Sequence, residues 1–200
     1  MYIPKEFQQP NQTTAIEYMK KYSFATLITA TENTPRATHL PFVIEVENDK
    51  IILHSHMAKD NPQWEEFEKG SCLVVFSNPN AYISPSLYEK NDNVPTWNYV
   101  AVHASGNALI LDSEAEKIEL LERMIQTYEP EYFEQWKTVS ERYKSNLFPD
   151  LVAFKIHVAQ LECKEKLSQN KSKKEREHIS NSLIEAQNEL GTIMLKKNTP

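Results

Sequence analysis

The segment HSHMAKDNPQW, residues 54–64, gathers most of the chain's capacity for binding chemistry. His54 and His56 stand two apart, so on a strand they point to the same face. Lys59 follows, and then Asn61–Pro62, a pair suited to capping and starting a helix. A helix start carries free backbone N–H groups and partial positive charge. Together with a lysine and a serine or histidine it can hold a phosphate. The alternative is a solvated turn with exposed histidines. A metal reading would take the same two histidines with His39 or His103 as a third ligand, but no carboxylate stands at a convincing spacing. No metal site is assigned.

Two further segments carry charge. In PRATHLPF, Arg36 begins a strand and His39 lies within it, and the guanidinium has the fork geometry that suits phosphate. From Lys164 to Arg176 there are six basic and two acidic residues. Such a cluster can contact an anion or DNA, or form a solvated helix start. Ser168, Gln169 and Asn170 add hydroxyl and amide groups able to bond the edge of a heterocycle. Between these segments lies AYISPSLYEKNDNVPTWNYVAVHASG, residues 81–106, rich in rings: Tyr82, Tyr88, Trp97, Tyr99 and His103. Flat rings beside hydroxyls suit a flat polar ligand, although aromatic residues in strands more often build the core.

Composition excludes several classes. Three glycines leave no room for a dinucleotide-binding GxGxxG turn or a P-loop. No GxSxG elbow is present. Cys72 and Cys163 are far apart, form no CxxC pair, and read as buried free thiols. The net charge of −6 argues against a broad nucleic-acid surface. No apolar run is long enough to span a bilayer, and the opening MYIPKEFQQP lacks the pattern of a secretory signal, so the expected location is the cytoplasm.

The elements that must position these residues follow from periodicity. A helix is expected over Thr13–Lys21, capped by Asn11 or a threonine. Strands are expected at Ser23–Ala30, Arg36–Asp49 and Lys50–His56, joined as hairpins. A short helix runs from Pro62 towards Gly70, followed by an apolar strand, Ser71–Ser77, and a long one, Trp97–Leu111. Asp112 or Ser113 caps a helix reaching about Tyr128, with Ile118, Leu121, Met124 and Ile125 on one stripe. A further helix, Tyr132–Tyr143, precedes a strand at Leu151–Leu161. The last helical piece starts at Ser172, with Ile179, Leu183, Ala186 and Leu190 near one face. About six strands with peripheral helices predict a mainly β (α+β) protein, a small antiparallel barrel. An open sheet with helices on one face is the alternative.

The segments MYIPKEF, HLPF (39–42), SHMAKDNPQW (55–64), AYISPSLY (81–88), VPTWNYVAVHASG (94–106) and KLSQNK (166–171) together resemble the successive motifs of the PaiB family. Its members are described as FMN-binding negative transcriptional regulators. The resemblance implies a split β-barrel related to pyridoxamine-phosphate oxidase, with a C-terminal helix, forming a homodimer with FMN at the subunit interface. It implies an FMN phosphate pocket at Ser55, His56, Lys59 and Asn61, with Thr38, His39 and Leu40 along the flavin ring or ribityl chain. Trp97, Tyr99, Ser168, Gln169 and Lys171 become ligand contacts, with the second subunit as a possible donor of them. Relatives usually carry arginine at the position of Lys59, and often at that of Lys171; lysine keeps the charge but loses the bidentate fork. Residues 1–165 are then the barrel domain with inserted helices. Residues 166–200 are a basic segment and helix packing on the barrel or the dimer partner, and Lys164–Arg176 is the candidate DNA contact. The implied role is regulation rather than turnover. A flavin-dependent oxidoreductase, a haem-binding split-barrel enzyme and a ligand sensor acting through a protein partner stay open as alternatives.

Overall fold

The structure, a computed structural model, describes residues 1–90 and 92–198. In chain order its helices and strands are α1 (Gln12–Lys21), β1 (Phe24–Thr31), β2 (Thr34–Pro41), β3 (Val43–Glu47), β4 (Lys50–Ala58), β5 (Cys72–Phe76), β6 (Asn80–Ile83), β7 (Thr96–Leu111), α2 (Glu114–Tyr128), α3 (Phe133–Thr138), α4 (Glu141–Ser145), β8 (Leu151–Lys166), α5 (Lys173–Glu185) and α6 (Glu189–Asn198). Between β4 and β5 the chain makes a run of 3-10 helix, Pro62–Lys69.

The chain divides into two compact units. The larger holds Ile16–Phe76 and His103–Leu161. Its strands follow the order β2-β1-β5-β7-β8-β4-β3. Neighbouring pairs β1–β2, β1–β5, β3–β4 and β4–β8 are antiparallel. Two tight hairpins set the early register. Glu32–Asn33 and Asn48–Asp49 all have positive φ, which a two-residue turn matched to the twist of its strands requires. The expected strand Arg36–Asp49 is therefore two strands, β2 and β3, with the break at Phe42. There the Phe42 N–H donates to Ser23 O and the Phe42 carbonyl accepts from the Tyr128 hydroxyl (2.8 Å), so both backbone groups leave the ladder. Leu27, Phe42, Leu53, Phe76, Phe154 and Ile156 are fully buried and form the core.

Helix α2 begins at a capping box made by Ser113 and Glu116. Leu120 and Met124 pack with Val43, Leu111 and Ala153. The buried stripe thus centres on Leu120 and Met124, while Ile118, Leu121 and Ile125 are only half-buried. The expected helix Tyr132–Tyr143 is broken in two because Ser140 caps a new helix, its hydroxyl accepting from Tyr143 N. The Pro62–Lys69 segment starts at an Asn61 cap as expected, but is 3-10 rather than α, and Gly70 leaves it in extended backbone.

The smaller unit holds Met1–Ala15, Ser77–Val102 and the chain from Glu162 onward. Here β6 pairs with the first half of β7. The end of β8 runs past the expected Leu161 to Lys166, and its Lys164 bridges Gln8. Helices α5 and α6 form a close hairpin. A side chain at Gly191 would meet Ser180 O at 2.7 Å, so only glycine fits this crossing. Ala186 is exposed at the end of α5 and does not extend the face of Ile179, Leu183 and Leu190.

Candidate functional site

On β4, alternation separates the chemistry of HSHMAK into two directions. His54 and His56 share a face, and α2 covers it. His54 Nε2 lies 3.0 Å from Glu45 Oε2, and Glu45 also binds Arg123. His56 Nδ1 lies 3.1 Å from Met124 Sδ. Burial holds both imidazoles below their ordinary range, with Glu45 pulling the other way at His54. Arg123 beside Glu45 holds that carboxyl below the usual carboxylate range. Ser55 points the other way, fully buried, and donates to Pro41 O at 2.7 Å. Among the described residues no cluster of three or more His, Cys, Asp or Glu is placed to hold a metal.

Beyond the strand end, Lys59 is exposed. Its ammonium sits 3.7 Å from the Trp64 ring centroid, and its carbonyl accepts from the Trp64 indole N–H. Asn61 is the hub of the next turn. Its side-chain oxygen accepts from Gln63 N, and its amide donates to Thr38 Oγ1 at 2.9 Å. The Thr38 hydroxyl donates in turn to Gln63 Oε1. Gln63 is buried and its amide bonds the carbonyls of Leu27 and Arg36. This network fixes the Lys59–Pro62 turn against β2. On β2, the exposed His39 ring stacks on Phe24 (6.4 Å, 21°), while Leu40 is buried. Arg36 Nε is paired with Glu66 at 2.7 Å and so is committed. The structure thus brings Thr38, Asn61 and the Lys59 turn together, and turns Ser55 and His56 away from that surface.

The other candidates lie in the smaller unit. Trp97 is exposed and packs edge-on against Tyr82, its register partner across β6 and β7. Tyr99 lies under the Lys164 ammonium at 5.3 Å. Ser168 is a non-glycine residue with φ 61°, buried, and paired with the buried Asn98 amide at 2.8 Å. Gln169 uses both ends within its own loop, accepting from Leu167 N and donating to Glu165 O. Lys171 donates to Asn93 Oδ1 at 2.7 Å. Sequence reasoning missed Gln63, Asn98 and Asn93, because nothing in spacing distinguishes an inward-facing amide from a surface one.

The basic segment is not a continuous charged face. Lys164 is buried and donates to Tyr2 O, and Lys166 turns into the unit. Lys173 and Lys174 are exposed, each paired with a glutamate, Glu177 and Glu89. Arg176 Nε is buried without a hydrogen-bond partner among the described residues. Both cysteines are buried and free, and burial pushes Cys72 up to about 11 and Cys163 up to about 12, so neither is a reactive thiolate. No helix among the described residues is long and apolar enough to cross a membrane.

Comparison with known proteins gives this arrangement a family. Residues 1–160 match the family described as "Putative FMN-binding domain". The chain is 36% identical over 191 residues to the PaiB protein of Bacillus subtilis (strain 168), named "Protease synthase and sporulation protein PAI 2", covering 94% of this chain and 91% of that one. Among solved structures, the flavocytochrome Anf3 from Azotobacter vinelandii superposes with a TM-score of 0.63 at 17% identity, covering 82% of this chain and 72% of that one. The FAD and heme binding protein from Mycobacterium smegmatis does so with a TM-score of 0.60 at 12% identity, covering 80% and 73%. These likenesses establish the split-barrel fold. The chain belongs to the PaiB-type family of FMN-binding split-barrel proteins, and FMN is its cofactor.

Proposed function

We propose that this chain is a homodimeric, cytoplasmic, PaiB-type negative transcriptional regulator that carries FMN. The similarity to a PaiB protein along nearly its whole length supports this reading. The donor set beside Lys59 fits the cofactor. An exposed ammonium, the Asn61 cap and the start of the following 3-10 segment can meet a phosphate, and the exposed Phe24–His39 pair offers a flat surface. Thr38, His39, Leu40, Lys59 and Asn61 would hold the flavin, with Ser55 and His56 setting the strand from behind. In the homodimer, Trp97, Tyr99, Ser168, Gln169 and Lys171 of the second subunit would complete the contacts. Bound FMN supplies a ring able to take up and release electrons. The residues of this chain bind and orient it, and none of them is assigned a catalytic step.

Lys173 and Lys174 are the exposed cations of the basic segment and are our proposed DNA contacts. Chromatin immunoprecipitation of the full-length protein in its host is expected to enrich discrete promoters, and deletion to raise transcription from them. On an enriched fragment, Lys173→Gln with Lys174→Gln should flatten the plot of log affinity against log salt by about one unit per lost phosphate contact. FMN content should stay unchanged. No enriched sites, with transcription unaltered by deletion, would remove the regulatory reading.

A further inference from the structure

We propose that helix α2 is an acid-released cover, loosened from β3 and β4 when the two imidazoles beneath it, His54 and His56, take up protons. Side-chain ties hold the helix down along its length. Arg123 of α2 binds Glu45 of β3 and, at 2.7 Å, Glu119 of its own helix; His54 Nε2 of β4 stands 3.0 Å from the same Glu45 oxygen. Met124 Sδ lies 3.1 Å from His56 Nδ1. At the end of the helix the Tyr128 hydroxyl donates to the Phe42 carbonyl, at the break between β2 and β3. The apolar cluster beneath joins Leu120 and Met124 to Val43, Leu111 and Ala153. Grip on β4 therefore runs through its two histidines.

A proton on either ring weakens that grip. Around His54 stand Glu45 and Glu47 from β3, Glu116, Glu119 and Arg123 from α2, and Lys155, its register partner on β8. Glu45 is already shared with Arg123, and the charges of Arg123 and Lys155 oppose another cation there. Glu116 is engaged by the Ser113 hydroxyl and Glu119 by Arg123, while Glu47 is exposed. His56 faces the Met124 thioether, a weak acceptor, and its register partner on β8 is Ala153. No charge among the described residues offsets its burial. Burial favours the neutral form of both rings, whereas a ring released to water titrates near about 6.5. The open helix thus binds protons more readily than the closed one, and falling pH shifts the balance towards opening. An open cavity of about 120 Å³, lined by His54, Arg123 and Lys155, lies beside this cluster and gives water a route to the His54 ring. The inference goes beyond the regulatory reading and rests on neither that reading nor bound FMN.

The test is hydrogen–deuterium exchange of the full-length protein, saturated with FMN, between about pH 7.5 and about pH 5.5, corrected for the intrinsic pH dependence of exchange. Each histidine can favour opening by up to about tenfold over that range. Protection of α2, Glu114–Tyr128, should therefore fall by between about 3- and 100-fold, while β5 and β7 keep theirs. His54→Gln and His56→Gln should each remove part of the fall, and the double variant nearly all of it. Should the variants fold poorly, the imidazole signals of the parent followed by NMR give a second reading, with both expected to titrate below about 6.5. A fall of less than about threefold overturns the proposal. So does an equal loss of protection in β5 and β7, a double variant that keeps the pH dependence of the parent, or either imidazole titrating at or above about 6.5.

Discussion

Gly106→Ala is expected to leave little folded protein, whereas Gly70→Ala should change almost nothing. A β-carbon at position 106 would stand 2.0 Å from His157 O and 2.8 Å from His157 C. Both atoms are backbone of β8, so no rotamer change relieves the clash. Overpacking in a core ordinarily costs about 1–3 kcal/mol. Here that range is a floor, because β7 and β8 are central strands of the larger unit and must separate to admit the methyl group. Against a total stability of about 5–15 kcal/mol, the variant should show reduced soluble yield or a melting point lower by more than about 2–12 °C, taking about 2–4 °C per kcal/mol for a chain of this size. Gly70 has nothing within 4 Å and an extended backbone that any residue adopts. Its variant should melt within about 0.5 kcal/mol of the parent, as surface changes usually do. Equal melting curves for the two variants would show that β7 and β8 do not approach as described.

Phe154→Ala is expected to be nearly as damaging and to reach the flavin as well. Phe154 is fully buried, with its ring 4.9 Å from Phe67 and 6.4 Å from Phe42. Removing a buried phenyl ring typically costs about 3–5 kcal/mol through lost transfer energy and the cavity left behind. Phe67 belongs to the 3-10 segment that follows Asn61, so the cavity opens beneath the turn presenting Lys59. Chemical denaturation should show a lower midpoint with an unchanged slope. FMN affinity measured well below that midpoint should also fall. A drop in stability with undiminished FMN affinity would mean that the Lys59 turn does not depend on this packing.

Much of the fold was legible because local signals agreed with the final structure. Polar pairs between apolar runs marked both hairpins, and Ser113, Asn61 and Ser172 announced segment starts that the structure realises as caps. The misreadings have physical reasons. Phe42 continues an apolar strand pattern, yet its backbone bonds elsewhere and splits the strand. The end of β8 reads as part of a basic cluster or a solvated helix start, but Lys164 and Glu165 are buried there and bonded to the smaller unit's own residues. Polar strand faces of that kind carry no periodic apolar signal.

The candidate site was legible as a set of residue types and less so as a geometry. Asn61 donates to Thr38 beside the Lys59 turn. Spacing pointed to Lys59 and Asn61, and only the family resemblance to Thr38. His54 and His56 do share a face, but that face lies under α2 rather than towards Lys59, a matter of which side the helix covers. The amides that hold the two loops, Gln63 and Asn98, were invisible because burial of a polar side chain is decided by partners distant in sequence.

The central claim is that the Lys59 turn holds FMN, and the visible spectrum of the purified protein tests it most directly. The spectrum is recorded after FMN is added and the excess removed by gel filtration, for the parent and for Lys59→Ala. The account predicts retained flavin bands in the parent and about 10–100-fold weaker binding in the variant, as expected for losing a hydrogen bond to a charged group worth about 1.5–3 kcal/mol. A colourless parent that keeps no FMN, or a Soret band in the protein as purified, would contradict it.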